Sequence, residues 1–225
     1  MGSLKLRYSH RLLCGDSTNA DDVSTLMDGR GADLLLTDPP YGIGYEYQSH
    51  DDSSNDVNAE LVASAFGYFD CPKVWTPGMN NLDRDMSRFG RSRVAVWNKR
   101  FAAAGNGLGG ASVWEPVLCV GKFSVKHLKV DVIECMTDRE EVDGTSLREL
   151  HSCPKPVALY ATLVESFTKR GDVVAEPFCG SGTTLIACEQ LSRSCYGMEI
   201  DPAYCDVIVR RWENFTGKEA VRWAG

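Results

Sequence analysis

Residues 173–184 read VVAEPFCGSGTT, an apolar run that ends in an acid and a turn of small residues. The pattern predicts a buried strand at 173–176, a turn, and a helix at 183–191. Small residues in such a turn let the backbone approach a ligand closely, and the helix amides point toward it. Roughly 20 residues after Gly180, Glu199 lies near the end of the next predicted strand, where an acid can accept hydrogen bonds from ribose hydroxyls. The stretch therefore predicts a site for a nucleoside-containing cofactor.

The turn at 177–182 lacks the third glycine of the dinucleotide-binding fingerprint. Its absence disfavours NAD and FAD and leaves other adenosine cofactors open. A plain strand-turn-helix without a ligand is the alternative interpretation. A P-loop phosphotransferase is excluded, because the chain contains no GxxxxGK[ST] motif.

A second motif, Asp38-Pro39-Pro40-Tyr41, follows the run DLLLT at 33–37. The run suits a strand buried on both faces of a parallel sheet, and the two prolines end it. Ligands bind at the carboxyl ends of such strands. A carboxylate and a backbone carbonyl there can each accept one N–H of an aromatic exocyclic amine, which frees the nitrogen lone pair for a methyl group. A tyrosine beside them can stack on a flipped base, whereas a simple turn is the alternative.

Predicted strands alternate with predicted helices, which indicates an α/β fold with a doubly wound, mostly parallel sheet. Helices are predicted at 59–69, 155–169, 183–191 and 204–215, with a short one that is capped at 18 or 19 and ends at 27. Further strands are predicted at 74–76, 94–97, 117–120 and 195–200, whereas 125–150 is weakly patterned. The polar, acidic residues 43–58 and the glycine-rich residues 105–110 are predicted to form loops.

Length and composition favour one folded domain. The chain has 225 residues, of which 43% are hydrophobic and 24% charged, and this balance excludes a disordered chain. No apolar run reaches the roughly 18–20 residues of a membrane helix, and no signal pattern opens the sequence. We therefore expect no membrane contact and a cytoplasmic location. The nine cysteines include no CxxC pair, which predicts reduced thiols and no metal site.

Charge is segregated along the chain, whose net charge is −7. Acidic stretches at 46–60 and 131–150 flank a basic middle at 84–129. We expect that middle to form a groove that follows a polyanion, because phosphate contacts supply most non-specific affinity for nucleic acids. An uneven solvated surface is the alternative. The basic residues are Arg84, Arg88, Arg91, Arg93, Lys99, Arg100, Lys122, Lys126 and Lys129.

The two motifs and their order resemble the permuted beta class of DNA amino-methyltransferases, in which the catalytic tetrapeptide precedes the cofactor turn. The resemblance covers nearly the whole chain. Residues 15–16 (GD), 75–81 (WTPGMNN), 96–99 (VWNK), 114–118 (WEPVL) and 151–157 (HSCPKPV) are similar to the other motifs of that family. In the last of these the family usually has a proline sooner than Pro154. The resemblance implies a Rossmann-like class I methyltransferase fold with a permuted motif order and S-adenosylmethionine as cofactor.

The resemblance also implies the roles of the catalytic motif. Asp38 and the carbonyl of Pro39 are expected to hold the target amine, Pro40 belongs to the same turn, and Tyr41 is expected to stack on the base. Asp38 favours adenine N6 over cytosine N4, because the cytosine enzymes often begin this motif with Ser. Methyltransferases acting on RNA or on glutamine side chains usually begin it with Asn. A cytosine C5 mechanism is disfavoured, because no Pro-Cys dipeptide is present.

Cofactor contacts are implied in the same way. Asp16 is expected near the cofactor adenine, Lys155 at its methionine carboxylate, and Glu199 at its ribose. The rest of the implied cofactor site comprises Asp38, Glu176, Phe178, Cys179, Gly180, Ser181, Gly182, Thr183 and Ile200.

DNA is the expected partner. Residues 1–225 are expected to form one catalytic domain, with a small target-recognition insert within about 101–150. An insert of that size predicts a short or relaxed recognition sequence, or a homodimer in which a second subunit completes the grip on DNA. A catalytically silent module that binds cofactor or DNA remains the non-enzymatic alternative.

Overall fold

The computed structural model of the protein describes residues 10–41, 55–90, 92–100, 110, 112–125, 128–136, 140–151 and 153–222. The strands are β1 (Arg11–Cys14), β2 (Leu34–Thr37), β3 (Lys73–Trp75), β4 (Arg93–Asn98), β5 (Trp114–Val120), β6 (Val132–Glu134), β7 (Glu141–Val142), β8 (Thr145–Ser146), β9 (Val173–Glu176) and β10 (Ser194–Glu199). The helices are α1 (Ala20–Met27), α2 (Asn55–Gly67), α3 (Leu82–Phe89), α4 (Leu147–Leu150), α5 (Val157–Phe167), α6 (Thr183–Leu191) and α7 (Pro202–Thr216), and a 3-10 turn at Met79–Asn81 precedes α3.

Eight of the described strands form one sheet in the order β1-β10-β9-β2-β3-β5-β4-β6. Neighbouring strands are parallel except at β5, which runs against both β3 and β4. From β9 the chain passes through α6 to β10 on one side, and from β2 it passes through α2 to β3 on the other. The boundary between β9 and β2 is therefore the switch point at which such sheets bind ligands. The predicted α/β fold with a doubly wound, mostly parallel sheet is confirmed.

The central strands are buried because helices cover both faces of the sheet. Leu34 and Leu36 of β2 pack in a layer with residues of α5 and α6. Leu35, which points to the other face, packs in a layer with residues of α1 and α2. A strand buried on both faces needs a continuous apolar run, which explains why β2 is recognisable in the sequence.

The structure differs from the sequence prediction at α3 and within 128–150. α3 is only eight residues long and half of them are charged, so the sequence pattern gave no prediction of a helix there. Residues 132–134 join the sheet beside β4, and the two-residue strands β7 and β8 form a hairpin whose Val142 packs against Val207 of α7. Elements this short do not contain enough residues for a periodic pattern.

Strands β5 and β6 belong to the main sheet, so the predicted insert at 101–150 is not a separate body in the described part of the chain. The single-domain boundaries stay a prediction. The predicted loop at 43–58 is wrong at its end, because residues 55–58 form the first turn of α2, which begins four residues before the predicted helix. Residues 43–54 of that loop, the glycine-rich residues 105–109, Arg91 and Lys126 lie outside the described residues. None of the described helices is long and apolar enough to cross a membrane. All nine cysteines are free thiols, and the described ranges contain no group of three or more metal-ligating side chains.

Candidate active site

A cavity of ≈ 530 Å³ opens at the switch point, where β2, β9 and β10 end. Both sequence motifs line it. Residues 38–41 follow β2, Glu176 ends β9, and residues 177–181 and 183 follow β9. The hydroxyl of Thr37 donates a hydrogen bond to Oε1 of Glu176, which joins the ends of the two strands directly. A volume of this size falls within the ~300–1,000 Å³ of small-molecule and cofactor sites.

The glycine turn after β9 brings backbone close to the cavity. Gly180 has φ +52°, and a Cβ there would lie 2.8 Å from Nε2 of His151. Gly182, at φ +79°, is the N-cap of α6, and a Cβ there would lie 2.9 Å from Cγ2 of Ile208. Both positions therefore require glycine. The backbone N–H groups at the N-terminus of α6 face the cavity without a side chain from either glycine in the way.

Glu176 is the acid at the base of the cavity. It is 2% exposed and accepts hydrogen bonds from the hydroxyls of Thr37 and Thr184 and from the amide of Phe178. Burial raises the pKa of the Glu176 carboxyl to about 8, even though these three hydrogen bonds act to lower it. Oε1 already has two donors, so Oε2, which has one, is the oxygen with capacity for a further hydrogen bond.

Glu199 lines the cavity at the end of β10, the strand beside β9. Its Oε2 accepts from the amide of Gly180 at 2.7 Å, and its Oε1 accepts from the amide of Asp201 at 3.0 Å. Burial raises the pKa of this carboxyl as well. Each oxygen keeps acceptor capacity for a hydroxyl of a bound ligand. Asp16, after β1, lies beside it in the wall, with Oδ1 held by the amide and hydroxyl of Thr18.

Asp38 lies in a polar cluster at the carboxyl end of β2. Its Oδ1 accepts hydrogen bonds from the hydroxyls of Tyr41 and Thr76. Its Oδ2 lies 3.0 Å from Nζ of Lys155, which also donates to the hydroxyl of Tyr41 at 2.7 Å. Gly78 packs against the ring of Tyr41, since a Cβ there would lie 3.3 Å from Cδ1.

The charges of this cluster are fixed by burial and by its ion pairs. Burial opposes the charge of Lys155, but the facing Asp38 and the nearby Tyr41 and Glu115 together hold its pKa well above the ordinary value. Burial, with Asp38 next to it, raises the pKa of the Tyr41 hydroxyl, which stays neutral. The structure therefore places the Lys155 ammonium against Asp38, whereas the sequence analysis expected it at a cofactor carboxylate, a role that stays a prediction.

Every predicted catalytic and cofactor residue except Gly182 lines the one cavity. Sequence reasoning did not assign the other wall residues, which include Leu61, His151, Cys153, Tyr160, Thr184 and Tyr204. Tyr160 belongs to the apolar stripe of α5, where nothing in the pattern separates a cavity residue from a core residue. Burial, with Lys155 and Arg211 nearby, lowers the pKa of His151 to about 4, so its imidazole is neutral.

The seven described residues of the predicted basic groove do not share one surface. Arg93 begins β4, Lys122 follows the reversed strand β5, and Lys129 precedes β6, so all three lie toward the edge of the sheet away from the cavity. The other four pair with acids: Arg84 with Asp85, Arg88 with Glu60, Lys99 with Glu115, and Arg100 with Glu134. The sequence analysis overlooked the reversal of β5, which sends successive basic segments to opposite edges. Their contact with nucleic acid stays a prediction.

The doubly wound sheet, the cavity at its switch point and the Asp-Pro-Pro-Tyr turn in the cavity wall are the features expected of an amino-methyltransferase. Residues 71–210 match the N6_N4_Mtase family, described as DNA methylase. The chain belongs to this family. The matched range contains the cofactor turn. Asp38 lies N-terminal to the matched range.

Individual proteins agree with this assignment. Type II methyltransferase M.HpaI from Haemophilus parainfluenzae is 25% identical over 247 aligned residues, which cover 94% of this chain and 77% of that protein. The crystal structure of the M1.HpyAVI-SAM complex has a TM-score of 0.68 at 19% identity, covering 91% of this chain and 99% of that one. PvuII DNA methyltransferase (cytosine-N4-specific) has a TM-score of 0.65 at 15% identity, covering 96% and 94%. The two structures confirm the fold.

Proposed function

We propose that this DNA amino-methyltransferase transfers a methyl group from S-adenosylmethionine to the N6 amine of adenine in DNA. The observation that carries the proposal is the carboxylate of Asp38, which stands at the switch point in the wall of the cofactor cavity. An aspartate in this first position favours adenine, as the resemblance to the family implies. The cytosine N4 amine is the alternative target, because its chemistry is the same and one structural neighbour is cytosine-N4-specific.

The described residues fit the cofactor. Glu199 is the acceptor for the ribose hydroxyls, and Asp16 lies on the side that the adenine would occupy. Glu176 and the glycine turn meet the methionine portion, whose ammonium suits a buried carboxyl and whose carboxylate suits the amides of α6. S-adenosylmethionine supplies an electrophilic methyl group. Glu199→Ala is expected to weaken cofactor binding, and unchanged affinity would contradict the ribose assignment.

The target base is held by the residues after β2. Asp38 and the carbonyl of Pro39 accept the two N–H bonds of the amine, which draws the nitrogen toward tetrahedral geometry and directs its lone pair at the methyl group. Pro40 stiffens this turn, and the ring of Tyr41 stacks on the base. The base reaches the cavity by flipping out of the duplex, because its amine is inaccessible within the stack.

Binding of DNA requires more contacts than the described basic residues can provide. Lys99 and Arg100 follow the end of β4 on the cavity side, and both are paired with acids. We infer that DNA contacts also come from the glycine-rich residues at 105–110, within the predicted insert, or from a second copy of the chain. A homodimer and a short or relaxed recognition sequence are accordingly part of the proposal, as is a cytoplasmic location.

Nucleoside mass spectrometry tests the reaction directly. Unmethylated DNA is incubated with S-adenosylmethionine and protein, then digested to nucleosides. The matched variants are Asp38→Ala and Asp206→Ala, the latter an exposed site on α7. We expect N6-methyladenine from the wild type and Asp206→Ala and a loss of at least ~100-fold in Asp38→Ala. N4-methylcytosine would overturn the choice of base, and cofactor binding without a modified base would favour the silent module.

A further inference from the structure

Both oxygens of the Asp38 carboxylate have partners within the protein. Oδ1 already accepts two hydroxyl hydrogen bonds, from Tyr41 and Thr76. Oδ2 faces Nζ of Lys155 at 3.0 Å. Since a carboxylate oxygen offers about two acceptor sites, an incoming amine can bind only at Oδ2, directly beside an ammonium group.

An ammonium at that oxygen opposes methyl transfer. The amine nitrogen gains positive charge as it takes the methyl group, and a cation next to its acceptor repels that charge. Repulsion of this kind is poorly screened where water is excluded. Lys155 must therefore withdraw from Asp38, but its side chain is only 4% exposed, and a buried ammonium requires another anionic partner.

Glu115 of β5 offers that partner. Its Oε2 lies 3.7 Å from Nζ of Lys155, is buried, and accepts no hydrogen bond within the described ranges. Its Oε1 pairs with Lys99, which follows β4 and anchors the carboxylate. A shift of Nζ by roughly 1 Å would bring it to the distance of a charge-assisted hydrogen bond with Oε2.

We propose that Glu115 is a positioning residue that draws Lys155 off Asp38 as the target amine binds. The lysine then has two positions, one on each carboxylate, and the substrate selects the position on Glu115. The inference rests on the proposed function and extends it to a residue outside the cavity wall. It gives a role to a buried carboxylate oxygen that has no hydrogen bond and is costly beside the catalytic cluster.

The test is Glu115→Gln, which keeps the size of the side chain and removes its charge. The control is Glu165→Gln at an exposed position of α5. In single-turnover methylation with saturating cofactor, we expect Glu115→Gln to be about 10- to 100-fold slower. The dissociation constant for S-adenosylmethionine should stay within about two-fold, because the change acts after cofactor binding. A full rate in Glu115→Gln overturns the inference.

A double-mutant cycle separates positioning from a structural effect. In a Lys155→Met background there is no lysine to move, so adding Glu115→Gln should change the rate by less than about two-fold. An equal loss in both backgrounds overturns the inference. If Glu115→Gln does not fold because Lys99 is left unpaired, the experiment is repeated in a Lys99→Met background. The rate of the Lys99→Met, Glu115→Gln double variant is then compared with the rate of Lys99→Met alone. Absence of any methylated base from the wild type overturns the proposed function itself, whereas a methylated base with an undiminished variant rate overturns only the inference.

Discussion

Thr37 and Glu176 end two neighbouring strands of the sheet, and the hydroxyl of the first donates a hydrogen bond to the carboxyl of the second. The two residues are 139 positions apart in the chain. Thr37 immediately precedes the catalytic motif, and Glu176 opens the cofactor turn. A permuted chain order thus still brings both motifs together, because the sheet places β2 beside β9 and this hydrogen bond ties their ends.

Thr37→Val removes that hydrogen bond at nearly constant volume. We expect the free energy of unfolding to fall by about 1–2 kcal/mol, because a buried acceptor loses a donor. Cofactor affinity should fall as well, since Glu176 is then less firmly oriented. Urea denaturation and calorimetric binding measure the two effects. Thr162→Val is the control, because Thr162 is on the outer side of α5 and bonds to the carbonyl of Ala158 in its own helix; equal losses in both variants would contradict the prediction.

Glu176 makes the stability of the cofactor-free protein depend on pH. Its pKa of about 8 lies above the ordinary 4.5, so the folded protein binds this proton more tightly than the unfolded chain. The contribution is complete below about pH 4.5 and is lost as pH rises through about 8. Glu176→Gln removes this dependence. The unfolding free energy of the wild type minus that of the variant should therefore fall between about pH 5 and 8, and parallel curves would refute the assignment.

Gly182 needs both its backbone angle and its lack of a side chain. Gly182→Ala is expected to cost about 2–4 kcal/mol of stability, from left-handed strain together with the clash against Ile208. Gly217→Ala provides a matched control, because Gly217 has φ +68° and a Cβ there would meet no atom within 4 Å; it should cost only about 1 kcal/mol. Denaturation of the two variants isolates the clash, and cofactor affinity should fall in Gly182→Ala alone.

The buried parallel strands and the two ligand turns were predictable because they carry local signals. Apolar runs such as 34–36 report burial on both faces, and the small residues around Gly180 report close backbone approach. The partners across the cavity were not predictable, because nothing near Lys155 in the sequence indicates that its ammonium faces Asp38 and Glu115. These contacts depend on how distant strands are ordered in the sheet.

The basic middle of the chain illustrates the same limit. Nine bases within 84–129 suggest a single positive surface. The reversal of β5 instead carries Lys122 away from the cavity, while Lys99 stays beside it and binds Glu115. The density of basic residues along the sequence shows only how many there are. The direction of the strands decides which of them lie on the same side of the sheet.

Arg211 of α7 supports the cofactor turn from behind, and sequence reasoning did not single it out from its neighbour Arg210. Its Nη1 donates to the carbonyl of Ser181 at 2.8 Å and to Oγ1 of Thr183 at 3.1 Å. Its Nε donates to Oε1 of Glu140 at 2.7 Å, and Nη2 donates to the other oxygen of the same carboxylate. The side chain is 1% exposed, so the guanidinium depends on these partners.

Arg211→Met should therefore destabilise the protein by about 3–5 kcal/mol, because it leaves Glu140 and the carbonyl of Ser181 without their partner. The adjacent Arg210→Met should stay within about 0.5 kcal/mol, since Arg210 is half exposed and its ion pair with Asp143 spans 3.9 Å. Thermal and urea unfolding of the two variants make the comparison. Glu140→Gln keeps the bidentate geometry in part and should lose less than Arg211→Met. If Arg210→Met and Arg211→Met unfold alike, the guanidinium of Arg211 does not support the turn, and the shape of the cofactor site must come from the glycine turn and Glu199 alone.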